Sequence, residues 1–181
     1  MATALIILAE GFEEIEALAP TDILRRGGVT VTLAGLTAAR VTGAHGITVL
    51  ADAVLNAGAA ADALILPGGM PGSLALGNSP VVEELARRQI ERGGIVAAIC
   101  AAPVKTLGRW GLLARKRATC FPGCETEFPP DVAFATDDVV VDGKIITSRG
   151  PGTAMAFGFQ ILAALADPAT ADELRKNMAC G

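Results

Sequence analysis

The sequence predicts an α/β fold in which a mostly parallel sheet is covered by helices on both faces. Three observations carry this. Short β-branched runs alternate with longer stretches of helical periodicity, the pattern of βαβ units. The strand-like runs are continuously apolar, as strands covered on both faces must be. A chain of 181 residues with 51% hydrophobic and 19% charged side chains is long enough for one core and too apolar for disorder.

Residues 4–8 form the first strand. No basic region precedes this run and no small-residue cleavage site follows it, so it reads as a strand and not a signal peptide, and a cytoplasmic location is expected. A helix over residues 15–26 follows, with Ile15, Leu18, Ala19 and Ile23 on its apolar face and Gly27-Gly28 as its stop. Further strands are expected at 29–34, 47–50 and 63–66. Residues 63–82 carry no charge and approach the length of a membrane span, about 20 residues, but Pro67, Pro71, Pro80 and four glycines make them a strand and a loop. A helix over 79–92 has Ser79 as cap and Pro80 in its first turn. The strand 95–99 leads into a helix over 102–107, and residues 120–130, with three prolines and Gly123, read as a surface loop. Strands 139–141 and 145–147 flank an Asp142-Gly143 hairpin turn. Helices over 153–166 and 169–178 close the chain; the first is uncharged but too short to span a membrane. The sum is a single domain over 1–181, a flavodoxin-like three-layer α/β/α sandwich.

In such sheets ligands bind outside the carboxyl ends of the strands. Three segments after strands should therefore meet: 10–16, 67–72 and 100–103. Cys100 follows an apolar strand directly and precedes a helix, with small neighbours Ala98, Ala101 and Ala102 permitting a sharp turn. This is a nucleophile elbow with sulfur in place of oxygen, although alanines stand where that motif has glycines. A helix N-terminus there would favour the thiolate; the alternative is an inert buried cysteine. Residues 67–72 are too short for a dinucleotide fingerprint and lack the Lys-Ser/Thr of a P-loop. They offer either backbone N–H groups to an oxyanion or a tight turn that needs glycine. Glu10, Glu13, Glu14 and Glu16 crowd the first turns of a helix, where most read as solvated charges; one turned inward toward Cys100 would have a raised pKa.

The remaining chemistry is sparse. His45 is the single histidine and there is no tyrosine, so proton carriers are few. It lies in a turn-like stretch and reads as part of a surface loop. Cys120 and Cys124 lack two further ligands for zinc, so no metal site is expected; they read as redox partners of each other or as surface thiols. The net charge of −4 argues against a nucleic-acid surface.

Glu10-Gly-Phe-Glu-Glu-Ile-Glu16, Leu66-Pro-Gly-Gly69, Ala97-Ala-Ile-Cys-Ala-Ala-Pro103 and Thr147-Ser-Arg-Gly-Pro-Gly-Thr153 together resemble the ThiJ/PfpI family, on the branch of the parkinsonism-associated protein and its bacterial YajL-type relatives. The resemblance covers nearly the whole chain. It implies that Cys100 is an oxidation-sensitive nucleophile, that Glu16 is the protonated carboxyl beside it, and that Gly69 and Ala101 supply N–H groups of an oxyanion pocket. It further implies that Arg26 and Arg149 lie around the site, that His45 stands where relatives carry an arginine contributed across a dimer, and that the chain is a homodimer. Protease-like members carry histidine after the nucleophile, where this chain has Ala101, which disfavours a peptidase. Animal members have a histidine where this chain has Phe121. The expected function is a cofactor-independent cysteine enzyme of glyoxalase or deglycase type. Its partners would be small reactive carbonyls or glycated proteins, with no nucleic acid, membrane, metal or cofactor involved. The competing expectation is a redox-sensing stress protein or chaperone in which Cys100 is oxidised to a sulfinic acid stabilised by the same pocket.

Overall fold

The computed structural model describes residues 1–180. Seven strands form one sheet, in the spatial order Val139–Asp142, Ile145–Ser148, Ile95–Ile99, Ala63–Leu66, Thr3–Leu8, Thr30–Gly35 and Ala53–Val54. Every neighbouring pair is parallel except the first, which is an antiparallel hairpin turned at Gly143, φ +63°. The chain order reverses between Thr3–Leu8 and Ala63–Leu66, the switch point at which flavodoxin-like sheets open a crevice.

Side chains of a strand alternate between faces, so a doubly covered strand feeds two cores. Ala4, Ile6 and Leu8 enter one cluster, whereas Leu5, Ile7 and Ala9 enter the other. Ile95, Ala97 and Ile99 are likewise separated from Val96 and Ala98. The first face is covered by helices Glu14–Arg26 and Ala154–Leu165, the second by Pro80–Glu91 and the turns after Cys100. The two helices of the first face pack closely because Gly158 has no Cβ; one placed there would lie 2.8 Å from Ile23 and 3.1 Å from the backbone of Pro20. Burial of a side chain such as Phe157 or Leu162 in this layer contributes about 1.5–3 kcal/mol. The result is the expected three-layer α/β/α sandwich, and no helix among the described residues is long and apolar enough to cross a membrane.

Three local expectations need correction. Residues 47–50 do not join the main sheet: Thr48–Leu50 pairs only with Arg40–Thr42 in a separate ribbon. Leu50 is 77% exposed, which shows why an apolar run alone misleads here. The stretch after Pro71 is not all loop, because Gly72–Gly77 is a short helix that buries Leu76. Its terminal glycines hid it. Residues 102–107 do not form a regular α-helix; Pro103–Gly108 is wound wider, with the Arg109 N–H donating to the Val104 carbonyl five residues back. The 120–130 loop is framed by the paired strands Arg117–Ala118 and Ala133–Phe134, each too short to leave a pattern in sequence.

Candidate active site

Strands Ile95–Ile99, Ala63–Leu66 and Thr3–Leu8 are consecutive neighbours, so the segments leaving their carboxyl ends converge. The Glu13 N–H donates to the Gly68 carbonyl (3.0 Å) and the Gly72 N–H to the Gly11 carbonyl (3.3 Å), joining two of the segments. Cys100 stands at the end of the third with φ +66°, a left-handed conformation that costs a non-glycine residue about 1–3 kcal/mol. Two bonds hold it there: its N–H donates to the Ser148 carbonyl and its own carbonyl accepts from the Phe121 N–H, both at 2.9 Å. The strained elbow lifts the sulfur out of the strand plane, leaving it half-buried, against the N–H groups of Gly69 and Ala101.

Glu16 lies in the first turn of helix Glu14–Arg26 and is completely buried. The Gly68 N–H donates to its Oε2 at 2.9 Å, while Oε1 has no hydrogen-bond partner among the described residues. Only glycine fits at position 68, since a Cβ there would lie 2.5 Å from Oε2 of Glu16 and 2.6 Å from Cβ of Cys100. These distances also show how tightly the carboxyl and the thiol are juxtaposed. Burial, with a smaller contribution from the charge of Glu13, pushes the Glu16 carboxyl up to about 7, against hydrogen bonds from Cys100 and Gly68.

The thiol departs from the expectation drawn from a helix N-terminus. Burial and the neighbouring Glu16 carboxylate push Cys100 well up, and the two N–H groups offset this only in part. The irregular six-residue turn Pro103–Gly108 supplies little aligned dipole to oppose them. With Glu16 ionised the thiol keeps its proton, so thiol and carboxyl titrate as one unit.

The other glutamates also differ from the solvated charges anticipated. Glu13 and Glu14 are buried, and only Glu10 is exposed. Glu13 caps the helix, its Oε2 accepting the Glu16 N–H at 2.8 Å. Glu14 accepts from the backbone N–H of His45 (2.8 Å) and of Ile47 (3.3 Å), and pairs with His45 Nδ1 at 2.9 Å. Its carboxyl is lowered: burial opposes ionisation, but the hydrogen bonds from the His45 ring and backbone outweigh it. His45 is thus an exposed loop residue anchored to Glu14, one helical turn's start away from Glu16. The ligand-type atoms of Glu13, Glu14 and His45 lie within 4.8 Å of one another, and their mutual contacts account for that grouping.

Arg26 does not join the cluster within the chain. It ends the helix that Glu16 begins, ten residues or about 15 Å away at 1.5 Å per residue, and pairs with Asp22 at 2.7 Å. Arg149 is nearer. Its neighbour Gly150 packs beside both the Phe121 ring and Glu16, since a Cβ there would lie 3.1 Å from the ring and 4.0 Å from Oε1. Cys120 is not a surface thiol; it is fully buried, and desolvation pushes it up to about 12. Sequence reasoning missed Gly68, whose signal was its place in the Pro-Gly-Gly run after a strand.

Comparison with known proteins follows the same lines. Residues 2–164 match the model of the DJ-1/PfpI family. Protein DJ-1 homolog A of Arabidopsis thaliana is 40% identical over 176 residues, 95% of this chain but 45% of that protein, so the chain spans under half of that relative. A Caenorhabditis elegans protein named glutathione-independent glyoxalase DJR-1.2 is 36% identical over 180 residues, covering 97% of this chain and 95% of its own. The crystal structure of Drosophila melanogaster DJ-1beta superposes with a TM-score of 0.95 at 39% identity, covering 99% of this chain and 98% of that one. Its fold, its strained cysteine elbow and its glutamate-bearing first helix therefore sit in a chain that belongs to the DJ-1/PfpI family.

Proposed function

We propose that this chain is a cofactor-independent cysteine enzyme of glyoxalase or deglycase type, acting on reactive 2-oxoaldehydes or their early adducts on proteins. The observation that carries the reading is the pairing of Cys100, at a strained elbow facing two N–H groups, with a buried carboxyl raised to about 7. The C. elegans relative's name gives the same reaction class.

The arrangement suits an internal redox reaction, R–CO–CHO + H2O → R–CHOH–COOH. The Cys100 sulfur attacks the aldehyde carbon while its proton passes to the Glu16 carboxylate, so no free thiolate has to accumulate. The Gly69 and Ala101 N–H groups receive the oxyanion, and Glu16 returns the proton to give a hemithioacetal. Glu16 then takes the proton from the former aldehyde carbon and delivers it to the adjacent one, while the hemithioacetal hydroxyl proton passes to the neighbouring carbonyl oxygen. This leaves a thioester of the 2-hydroxy acid, which water hydrolyses to release the product and the thiol. A carboxyl with pKa near neutrality is suited to both directions of transfer. Attack on a hemithioacetal or aminocarbinol adduct would follow the same steps after the adduct releases its aldehyde.

The exposed Ile15, Ile47 and Leu50, beside the His45 loop, support a homodimer as the working form. The test of the function is lactate formation from methylglyoxal in metal-free buffer. Wild type is expected to turn over and Cys100→Ser to lose activity; a Cys100→Ser variant with wild-type turnover rejects the mechanism. A redox sensor without turnover would instead give no lactate and, after mild peroxide, a gain of two oxygens confined to Cys100.

A further inference from the structure

We infer that Phe121, with Pro122, Pro151 and Gly150, forms a subsite for the carbon substituent of the substrate and gives the site a preference for aryl- and bulky alkyl-substituted 2-oxoaldehydes. This rests on the proposed reaction and deepens it. An open cavity of about 180 Å³ is lined by these residues together with Asp138, Arg149, Gly152 and Thr153. Phe121 is 45% exposed, so its ring is available to a ligand in this cavity. Its position is not that of a loose loop residue, because its N–H is bound to the carbonyl of Cys100.

The direction of the cavity follows from the chemistry. The aldehyde carbon is bonded to sulfur and its oxygen faces the Gly69 and Ala101 N–H groups. The second carbonyl carbon must then lie where Glu16 can deliver a proton, beside the unpartnered Oε1. The place a Gly150 Cβ would take lies 4.0 Å from Oε1 and 3.1 Å from the Phe121 ring, so carboxyl and ring border the same small space, which the glycine leaves open. The substituent on the second carbon therefore extends along Gly150 to the aromatic ring. Gly150 is extended, so its lack of a Cβ serves close approach and not backbone conformation. A hydrogen or methyl substituent leaves the ring uncovered, whereas a phenyl group stacks on it, a contact of the kind that contributes severalfold to tenfold in binding.

Two measurements test this separately from the reaction. In the first, kcat/KM is compared for phenylglyoxal and methylglyoxal. Phe121→Ala is expected to reduce it about tenfold for the aryl substrate and by no more than about threefold for the methyl one, and Phe121→Trp to retain the aryl preference. Equal losses on both substrates overturn the inference while leaving the proposed function standing. The second needs no turnover: mandelate, the aryl product, should slow alkylation of Cys100 by iodoacetamide at concentrations at least fivefold below those at which lactate does, and Phe121→Ala should abolish the difference. Loss of that difference in a protein with no activity on either substrate supports the subsite and rejects the reaction. Equal protection by mandelate and lactate in the wild type overturns the subsite.

Discussion

Replacing Glu16 by glutamine should stabilise the protein while disabling it, and the stabilisation should depend on pH in a defined way. The Glu16 carboxyl is raised from 4.5 to about 7, chiefly by burial. The folded state therefore binds the proton more tightly than the unfolded chain, and wild-type stability falls as pH rises through this interval. At about 1.4 kcal/mol for each tenfold change in proton affinity, the loss above pH 7 is about 3 kcal/mol. Glutamine keeps the oxygen that accepts from the Gly68 N–H and carries no charge, so it escapes the loss. Urea unfolding of wild type and Glu16→Gln at intervals from pH 4 to 8, below the ordinary range of a free thiol, reads the difference, since the groups other than the coupled Cys100 are common to both. The two proteins should be equally stable near pH 4. The variant should be the more stable by about 3 kcal/mol at pH 8, with the change developing between pH 4.5 and 7. A difference that does not vary with pH, or one that favours the wild type at pH 8, would falsify the account of Glu16 as a destabilised buried carboxyl. Lactate formation by the same variant should fall by about 10²–10⁴, the usual contribution of a positioned acid–base group.

Two further perturbations follow from the local geometry. Gly68→Ala places a methyl group against Glu16 and Cys100 at once, so it should cost about 1–3 kcal/mol of overpacking and most of the activity; a variant with wild-type stability and turnover would show that the carboxyl and thiol need not be held so close. His45, the only histidine, should titrate above 6.5 because Glu14 accepts from its ring and attracts its positive charge. Its pairing thus stabilises the loop fully below pH 6.5 and is lost as pH rises through the folded value. The single imidazole resonance makes this simple to follow by NMR, and Glu14→Gln should lower the midpoint; an unchanged midpoint would mean the contact does not persist in solution.

The fold and the place of Cys100 at the sheet edge were legible in sequence for the same reason. A strand covered on both faces has to be continuously apolar, so residues 4–8, 63–66 and 95–99 announce themselves, and the topology of a parallel sheet then places whatever follows them at one edge. Cys100 was therefore identifiable from its place after a strand. The ribbon Arg40–Thr42 with Thr48–Leu50, the helix Gly72–Gly77 and the widened turn Pro103–Gly108 were not, because each is too short to carry a periodic pattern.

What the amino-acid sequence by itself determined was the layered α/β architecture, the meeting of three post-strand segments and the presence of a single histidine. Only the tertiary structure decided which of four neighbouring glutamates lies against Cys100. Helical periodicity puts Glu13, Glu14 and Glu16 within one turn, but the cap takes Glu13, the His45 loop takes Glu14, and the contact with Gly68 and Cys100 takes Glu16. Tertiary structure also decided the protonation of the site. A thiol at the start of a helix would ionise readily in isolation, yet burial beside a carboxyl reverses that preference, because desolvation depends on what surrounds a group in three dimensions and not on its position along the chain.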